Sequence, residues 1–303
     1  MADLATKEIT SVDQAATVNA NALLYIDNNG VFQRGSFDGV FAISKSFEIL
    51  RGDGQAHNGL FRGKNLSSVY TVDQIYAMVH SGKFDDLFLG DYFTVSITTT
   101  LPDETVKTEN ITLMIAAFDY YYNMGDTALT THHVVLIPRK SGFATSAKMN
   151  NTNITTGGYI GSFMHTDVLP CYAASLKTAL NNHVLSHRSF LTSTVNASTP
   201  SMAGAGLSGA STAYEWVSVD LQLMNEVQLY GSMVWSSSAY EVGTDNRKLP
   251  VFNYITPVQY DRLSFWLRSV VSSTRFAVCN AVGYTNCNDA SVNSYVRPII
   301  LFG

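Results

Sequence analysis

The sequence predicts an α+β fold in which strands dominate, and three observations support this class. Short apolar segments with period-two alternation recur along the chain, for example at residues 91–97. Only two segments combine a capping residue with the spacing of an amphipathic helix. Hydrophobic residues make up 46% of the 303 residues, which is enough to bury a substantial core. We therefore expect a strand-rich core with few helices.

The first predicted element is a small β-hairpin within an N-terminal module that spans residues 1–47. Residues 23–35 alternate around the turn Asp27-Asn28-Asn29-Gly30, and Asn-Gly is the favoured chemistry for a two-residue hairpin turn. One hairpin buries little surface by itself, so we expect the module to dock on a partner subunit or a larger assembly. Residues 48–303 are predicted to form the main domain.

The main domain is predicted to contain two helices and a series of short strands. Thr71 caps a helix over residues 72–80, and Pro170 lies in the first turn of a helix over residues 166–180. Apolar runs predict strands at residues 91–97, 111–118, 134–137, 216–230, 265–267 and 296–302. The glycine-rich segment 51–63 and the low-complexity segment 193–212 are expected to be loops.

The charge pattern argues against several classes of partner. Charged residues make up 14% of the chain, with 19 Lys and Arg against 24 Asp and Glu, and no basic run indicates nucleic-acid binding. No window reaches the roughly 18 apolar residues of a membrane helix, and residues 1–20 lack the apolar core of a signal peptide. We expect synthesis in the cytoplasm, no membrane insertion, and the neutral surface typical of secreted, virion or assembly proteins.

The cysteines leave two interpretations open. Cys279 and Cys287 flank a short stretch that a disulfide would close, with a stabilisation of about 2–3 kcal/mol, whereas Cys171 stands apart. Free thiols are the favoured interpretation, because a protein made in the cytoplasm gives no reason to expect oxidation.

No motif predicts a metal, a cofactor or catalysis. His183 and His187 have the spacing of zinc ligands on a helix, but the glutamate of the His-Glu-x-x-His pattern is missing. His132 and His133 are adjacent beside a predicted strand, where neighbouring side chains point to opposite faces. No acid–base spacing singles out a pair among the carboxylates Asp119, Asp126, Glu215, Asp220 and Glu226. We therefore predict no metal, no cofactor and no enzyme.

The C-terminal region has the pattern of a rigid frame that holds out a polar loop. Residues 266–269 and 296–302 are apolar and carry one arginine each, and residues 276–295 between them are rich in Asn, Ser and Tyr. Tyrosine supplies a flat face with a hydroxyl, and asparagine supplies adaptable hydrogen bonds. We interpret Arg268 and Arg297 as struts that fix the loop. The predicted ligand-binding residues are Asn280, Tyr284, Asn286, Asn288, Asp289, Asn293 and Tyr295.

An ordered series of motifs over residues 61–303 resembles a domain common in phages and prophages of gut bacteria. The motifs are Leu89-Gly90-Asp91-Tyr92-Phe93, Ala117-Phe118-Asp119-Tyr120-Tyr121-Tyr122, His133-Val134-Val135-Leu136-Ile137-Pro138, Met149-Asn150-Asn151-Thr152-Asn153, Gly157-Gly158-Tyr159-Ile160-Gly161-Ser162, Leu223-Met224-Asn225-Glu226 with Tyr230-Gly231, Trp266-Leu267-Arg268-Ser269 and Val296-Arg297-Pro298. The resemblance implies a virion surface protein with a C-type-lectin-like domain, as in phage receptor-binding proteins and variable proteins of diversity-generating retroelements.

The resemblance also implies roles for the C-terminal residues. Trp266, Arg268 and Arg297 would belong to the framework, and the loop over residues 276–295 would be the ligand face. The Glu-Pro-Asn and Gln-Pro-Asp triplets of calcium-dependent lectins have no match in the sequence, so we expect no calcium. The expected architecture is thus a C-type-lectin-like domain over residues 48–303, preceded by a hairpin attachment module.

The first functional prediction is a bacteriophage structural protein on the virion: a fibre, spike or receptor-binding tip with a host-binding loop. We expect residues 1–47 to contact other virion proteins, a homotrimer to be the favoured assembly, and a bacterial surface glycan or protein to be the ligand. A second interpretation is a head fibre, capsid decoration or baseplate component without a receptor. A third is a hydrolase that acts on host glycans. Diversification of residues 276–295 by a retroelement is a further hypothesis.

Overall fold

The chain divides into two compact units, Met1–Leu50 and Arg51–Gly303. The computed structural model describes residues 23–28, 31–36, 54–195, 211–235 and 245–303. In the first unit, strands β1 (Leu23–Asn28) and β2 (Val31–Ser36) are paired antiparallel. The rest of the predicted attachment module, including the turn residues 29 and 30, lies outside the described residues. The attachment role of residues 1–47 stays a prediction.

The second unit consists mainly of antiparallel strands with few helices. In chain order its elements are α1 (Gly54–His57), α2 (Val72–His80), β3 (Tyr92–Thr100), β4 (Val106–Phe118), β5 (Val134–Pro138), a π-helix (Met164–Val168), α3 (Leu169–Ala179), β6 (His187–Val195), β7 (Ser211–Val219), β8 (Leu221–Leu223), α4 (Glu226–Tyr230), a 3-10 helix (Pro250–Asn253), β9 (Phe265–Val270), β10 (Arg275–Cys279), β11 (Thr285–Asp289) and β12 (Pro298–Phe302). This content agrees with the predicted strand-dominated α+β class.

A five-stranded sheet with the order β3-β4-β5-β12-β8 forms the centre of the second unit, and all its neighbours are antiparallel. Successive residues of β4 face opposite sides. Leu113 and Ile115 enter one hydrophobic core, the first core, whereas Met114 and Ala116 enter another, the second core. Because β5 and β12 are buried along their whole length, these strands appear in the sequence as continuous apolar runs.

Helices α2 and α3 pack on the first core, and both were predicted. Thr71 and Gln74 form a capping box at the start of α2, in which each side chain accepts the backbone N–H of the other. Pro170 lies in the first turn of α3, where a missing N–H costs nothing. Tyr172 of α3 stacks on Phe143 with ring centroids 3.8 Å apart, which anchors the helix to the core.

The prediction of a strand over residues 216–230 is wrong in its second half. The chain leaves β8 and forms helix α4, which packs on the second core. Asn225 and Gln228 form a second capping box, and Gly231 ends the helix with a φ of +81°. The helix was missed because it is short and its residues 226–229 are all buried, so it lacks the polar face that distinguishes an amphipathic helix.

The predicted loop over residues 276–295 is also corrected, because much of it forms strands. A three-stranded sheet has the order β11-β10-β9. Phe276 and Val278 of β10 enter the first core, and Ala277 and Cys279 enter the second. A strand that is buried on both faces shows no alternation of apolar and polar residues. The sequence pattern therefore did not separate β10 from the polar segment that follows it.

The segment 193–212 was predicted to be a loop, and its two ends are strands instead. Strand β6 continues to Val195 and β7 begins at Ser211, and the two pair antiparallel. Residues 196–210 lie outside the described residues. The segment 51–63 was also predicted to be a loop, and it contains the single-turn helix α1.

Candidate functional site

The turn that joins β10 to β11 is shaped by Asn280 and Gly283. The side-chain Oδ1 of Asn280 accepts the backbone N–H groups of Val282 (3.1 Å) and Tyr284 (3.0 Å). Gly283 has a φ of +91°, in the region that favours glycine. The Asn280 side chain, predicted as a ligand contact, is therefore used within the turn itself.

The tip of the β10–β11 hairpin presents apolar and aromatic surface to solvent. Tyr284 is 72% exposed and Val282 is 60% exposed. Both residues lie in the turn between β10, whose residues 276–279 are buried, and β11. The hairpin therefore projects a tyrosine ring and hydroxyl from a base that is fixed in the two cores, and such a ring suits recognition of a partner.

Strand β11 divides the other predicted residues between two faces. Asn286 and Asn288 alternate with Cys287 and Asp289, so the two asparagines share a face. Asp289 Oδ1 accepts a hydrogen bond from Arg275 Nε (2.9 Å) across the hairpin. Asn286 is exposed and Asn288 is half-buried. The structure thus brings Tyr284, Asn286 and Asn288 to one side of the hairpin, while Asp289 is paired on the other.

The last two predicted residues lie in the segment that returns from β11 to β12. Asn293 is exposed. Tyr295 is half-buried, and its backbone N–H and C=O pair with Ser264 and Trp266 (both 3.0 Å) at the start of β9. Its side chain lines a groove beside β4. The residues of the predicted loop therefore contribute to two separate surfaces, the β10–β11 hairpin and the groove beside β4.

The cysteines of this region are not joined. Cys287 lies opposite Ala277 in the hairpin, whereas Cys279 lies opposite Thr285. Both are free, as is Cys171, which agrees with the favoured prediction. Burial raises the pKa of Cys279 to about 11, so this thiol stays protonated and unreactive near neutral pH.

Two of the predicted framework residues are fully buried and hydrogen-bonded to the backbone. Trp266 Nε1 donates to the carbonyl of Ala147 (2.8 Å). Arg297 donates to the carbonyls of Pro138 (2.9 Å) and Pro257 (2.7 Å). Burial lowers the pKa of Arg297 to about 10, but the side chain remains charged at neutral pH. These contacts connect β9 and the segment before β12 to the rest of the domain.

The third framework residue, Arg268, belongs to a buried polar network. Its Nη2 lies 2.7 Å from Asp245 Oδ2. Gln222 Nε2 donates to the same carboxylate oxygen (3.2 Å) and to the hydroxyl of Tyr121 (3.0 Å), which also accepts from Gln228 (2.9 Å). Neither Asp245 nor Gln222 was predicted from the sequence as a functional residue. No local signal marks either residue, because the partners are far apart in the sequence.

Glu226 supports the hairpin from the side of helix α4. It is fully buried, and its carboxylate accepts the backbone N–H groups of Val234 (3.2 Å) and Trp235 (3.1 Å). It also accepts the hydroxyl of Thr285 (2.5 Å) in β11. From the sequence alone, Glu226 was only one of several carboxylates without a predicted role. The capping residue Asn225 directly before it is the signal that would have placed it at a helix start.

The histidines considered as metal ligands have other partners. His183 stacks on Tyr76 with centroids 3.6 Å apart, and His187 lies in β6 rather than on a helix. His132 Nδ1 donates to Asp119 (2.8 Å), and His133 Nδ1 donates to the carbonyl of Thr131 (2.9 Å). Among the described residues, no three His, Cys, Asp or Glu side chains are grouped to hold a metal.

No family model, curated protein or solved structure matches the chain. The resemblance to phage surface proteins therefore stays a prediction that only the sequence motifs support. The helices in the described part of the chain are all too short or too polar to cross a bilayer. The candidate functional site is then the exposed side of the β10–β11 hairpin, with the groove near Tyr295 as a second surface.

Proposed function

We propose that the chain is a bacteriophage virion-surface protein that binds the host surface through the β10–β11 hairpin. The observation that carries this proposal is the exposed Tyr284, held at the tip of a hairpin whose inner strand is buried on both faces. A rigid tyrosine offers large contact area with little loss of conformational entropy on binding. Tyrosine is also enriched among the residues that dominate binding energy at interfaces.

The composition supports the same proposal. Only 14% of the residues are charged, so the surface is mostly neutral and polar. In the proposed arrangement, residues 48–303 form a C-type-lectin-like display domain and residues 1–47 attach it to other virion proteins. The proposed assembly is a homotrimer, and the proposed ligand is a glycan or protein of the bacterial surface. Sedimentation of the full chain tests the assembly, and a monomer at micromolar concentration would contradict it.

The hairpin is tested by competition between the purified full chain and virions for host cells. We expect the Tyr284→Ala variant to compete about tenfold less well or worse, because interface tyrosines commonly contribute 2 kcal/mol or more, by order of magnitude. Val106→Ala is the matched control, since Val106 is 59% exposed at the start of β4. Equal competition by the original chain, Tyr284→Ala and Val106→Ala would reject the hairpin as the binding surface.

The location on the virion is tested by electron microscopy of particles labelled with an antibody against this chain. Label on a fibre, a spike or a tail tip is the expected result. Label on the head or baseplate, together with no competition by the purified chain, would favour the interpretation of a structural component without a receptor.

A further inference from the structure

A groove of about 580 Å³ lies beside the first half of β4. It forms because β5 ends at Pro138, opposite Leu113. Arg139 still donates its backbone N–H to Thr112 (2.8 Å), but the chain then turns away toward Asp261. This volume lies within the range of about 300–1,000 Å³ that is typical of small-molecule sites.

Arg139, which lines this groove, packs its guanidinium against two tyrosine rings. Its guanidinium carbon lies 3.9 Å from the ring centroid of Tyr92 and 4.1 Å from that of Tyr260. Its Nε is covered, and the side chain has no hydrogen-bond partner among the described residues. These two contacts restrict the guanidinium before any ligand arrives, so binding there loses less side-chain entropy. The terminal nitrogens remain as donors for a ligand.

The two cations that line the groove, Arg139 and Lys140, have no ion-pair partner among the described residues. Lys140 is exposed and directly follows Arg139. Two carboxylates also line the groove, but both are turned to the backbone of the same wall. Asp261 accepts the backbone N–H of Ser141 (3.0 Å) and its hydroxyl. Glu109 Oε2 accepts the N–H of Ala144 (2.9 Å), whereas Glu109 Oε1 is buried without a hydrogen-bond partner among the described residues.

The remaining lining suits a sugar ring. Tyr260 and Tyr295 contribute aromatic side chains, and Asn110 and Thr112 contribute an amide and a hydroxyl. Aromatic faces pack against the apolar C–H faces of sugars, while short polar side chains exchange hydrogen bonds with their hydroxyls. The guanidinium fork matches the two oxygens of a carboxylate in a bidentate contact. Aromatic rings, short polar side chains and a guanidinium without a hydrogen-bond partner among the described residues thus line the same groove.

We infer that this groove binds the carboxylate of an acidic saccharide, with Arg139 as the bidentate partner and Lys140 as a second cation. The inference rests on the proposed host-surface binding, because it names the chemical class of one surface ligand. It assigns a ligand to the groove and not to the hairpin, so the two surfaces are separable by mutation.

The test is a ligand-observed NMR titration of the full chain with methyl β-glucuronide. Methyl β-glucoside is the matched ligand, because it has a neutral hydroxymethyl group in place of the carboxylate, and inorganic phosphate tests for a general anion site. We expect the glucuronide to bind at least about tenfold more tightly than the glucoside, which is the usual scale of a charge-assisted bidentate contact. Equal affinities for the two glycosides, or equal affinity for phosphate, would overturn the inference.

Three variants locate the binding. Arg139→Gln is expected to lose about tenfold or more in affinity for the glucuronide, and Lys140→Gln about two- to fivefold. Arg139→Lys keeps the charge without the fork, so it should lose most of the affinity while its melting temperature stays near that of the original chain. Arg188→Gln, which changes an arginine outside the groove lining, is the control and should bind normally. Unchanged affinity in folded Arg139→Gln or Arg139→Lys protein would overturn the inference.

The hairpin variant separates this inference from the proposed function. Tyr284→Ala should bind the glucuronide as the original chain does, because Tyr284 is not part of the groove lining. If the glucuronide fails to bind while Tyr284→Ala still impairs competition for host cells, the groove assignment alone is overturned. If the glucuronide binds through Arg139 while no protein competes for host cells, the groove assignment stands and the proposed function fails.

Discussion

Arg268 and Asp245 form a salt bridge of 2.7 Å in which neither side chain has exposed surface. The bridge connects β9 to the chain before the 3-10 helix, and Gln222 extends it to β8. A charge buried in a protein core costs several kcal/mol unless a partner of opposite charge is in contact. Removing one partner should therefore lower the stability of the fold, because the other charge stays buried without its counter-ion.

Arg268→Met should lower the free energy of unfolding by about 3–5 kcal/mol, because Asp245 stays buried without its cation. Arg188→Met is the matched control, since the bridge between Arg188 and Asp126 has the same length of 2.7 Å but side chains that are 29% and 33% exposed. That control should lose about 1 kcal/mol or less. Urea denaturation measures both values. Similar losses in the two variants would contradict the burial argument.

The stability of the second unit should decrease as the pH falls from about 6.5 toward 4. Burial lowers the pKa of His187 to about 3 and that of His165 to about 4, whereas an unfolded histidine titrates near pH 6.5, by order of magnitude. In this window the unfolded chain binds more protons than the folded chain, so the folded state loses stability as protons are added. Each histidine contributes a slope of about 1.4 kcal/mol per pH unit.

The slope can be assigned by replacing one histidine. His187→Gln should reduce the dependence of the unfolding free energy on pH by the share of one histidine. The exposed His80→Gln is the control for the loss of a histidine. Urea denaturation at several pH values between 4 and about 7 gives the slopes. An unchanged slope in His187→Gln would show that this ring takes up its proton without unfolding.

Asn280→Ala should loosen the hairpin turn without unfolding the domain. The change removes the acceptor for the N–H groups of Val282 and Tyr284, at a cost of about 1–2 kcal/mol. We expect faster amide hydrogen exchange at these two residues and no change in the central sheet. Asn293→Ala is the control, because Asn293 is exposed on the segment after β11. Unchanged exchange at Tyr284 would mean that Gly283 alone fixes the turn.

Gly142→Ala should be strongly destabilising. Gly142 has a φ of +151°, and an added Cβ would lie 2.3 Å from the carbonyl oxygen of Val296. We expect the free energy of unfolding to fall by about 2 kcal/mol or more. Gly59→Ala is the matched control, since the nearest atom to its added Cβ is 3.4 Å away, and its change should stay within about 1 kcal/mol. Thermal unfolding of both variants measures the difference.

The elements that the sequence predicted correctly are those with signals close together in the chain. Helix α2 has Thr71 and Gln74 of its capping box within one turn, and β3 alternates between buried and exposed residues. Helix α4 and strand β10 were missed because they are buried on all sides. Burial on every side removes the periodicity on which such predictions depend.

The site was harder to predict, because its partners meet only after folding. Of the predicted ligand-binding residues, Tyr284 and Asn286 are exposed on the hairpin, and their binding role stays a prediction. It assigned Asn280 and Asp289 to a ligand, but the turn and Arg275 use their side chains. Arg139 was not among the predicted site residues, since the two tyrosines that it contacts, Tyr92 and Tyr260, are far apart in the sequence.

Strand β11 is at the edge of its sheet, and β10 is its one partner among the strands that the structure describes. The register of β11 is therefore set by its pairing with β10, whose residues 276–279 are buried in the two cores. Tyr284 and Asn286 are exposed and enter neither core, and the Asn286 side chain accepts only the neighbouring N–H of Cys287 (2.9 Å). Mutations at these two codons should cost the fold almost nothing. The exposed tip of the hairpin can thus change in sequence while the scaffold is inherited unchanged.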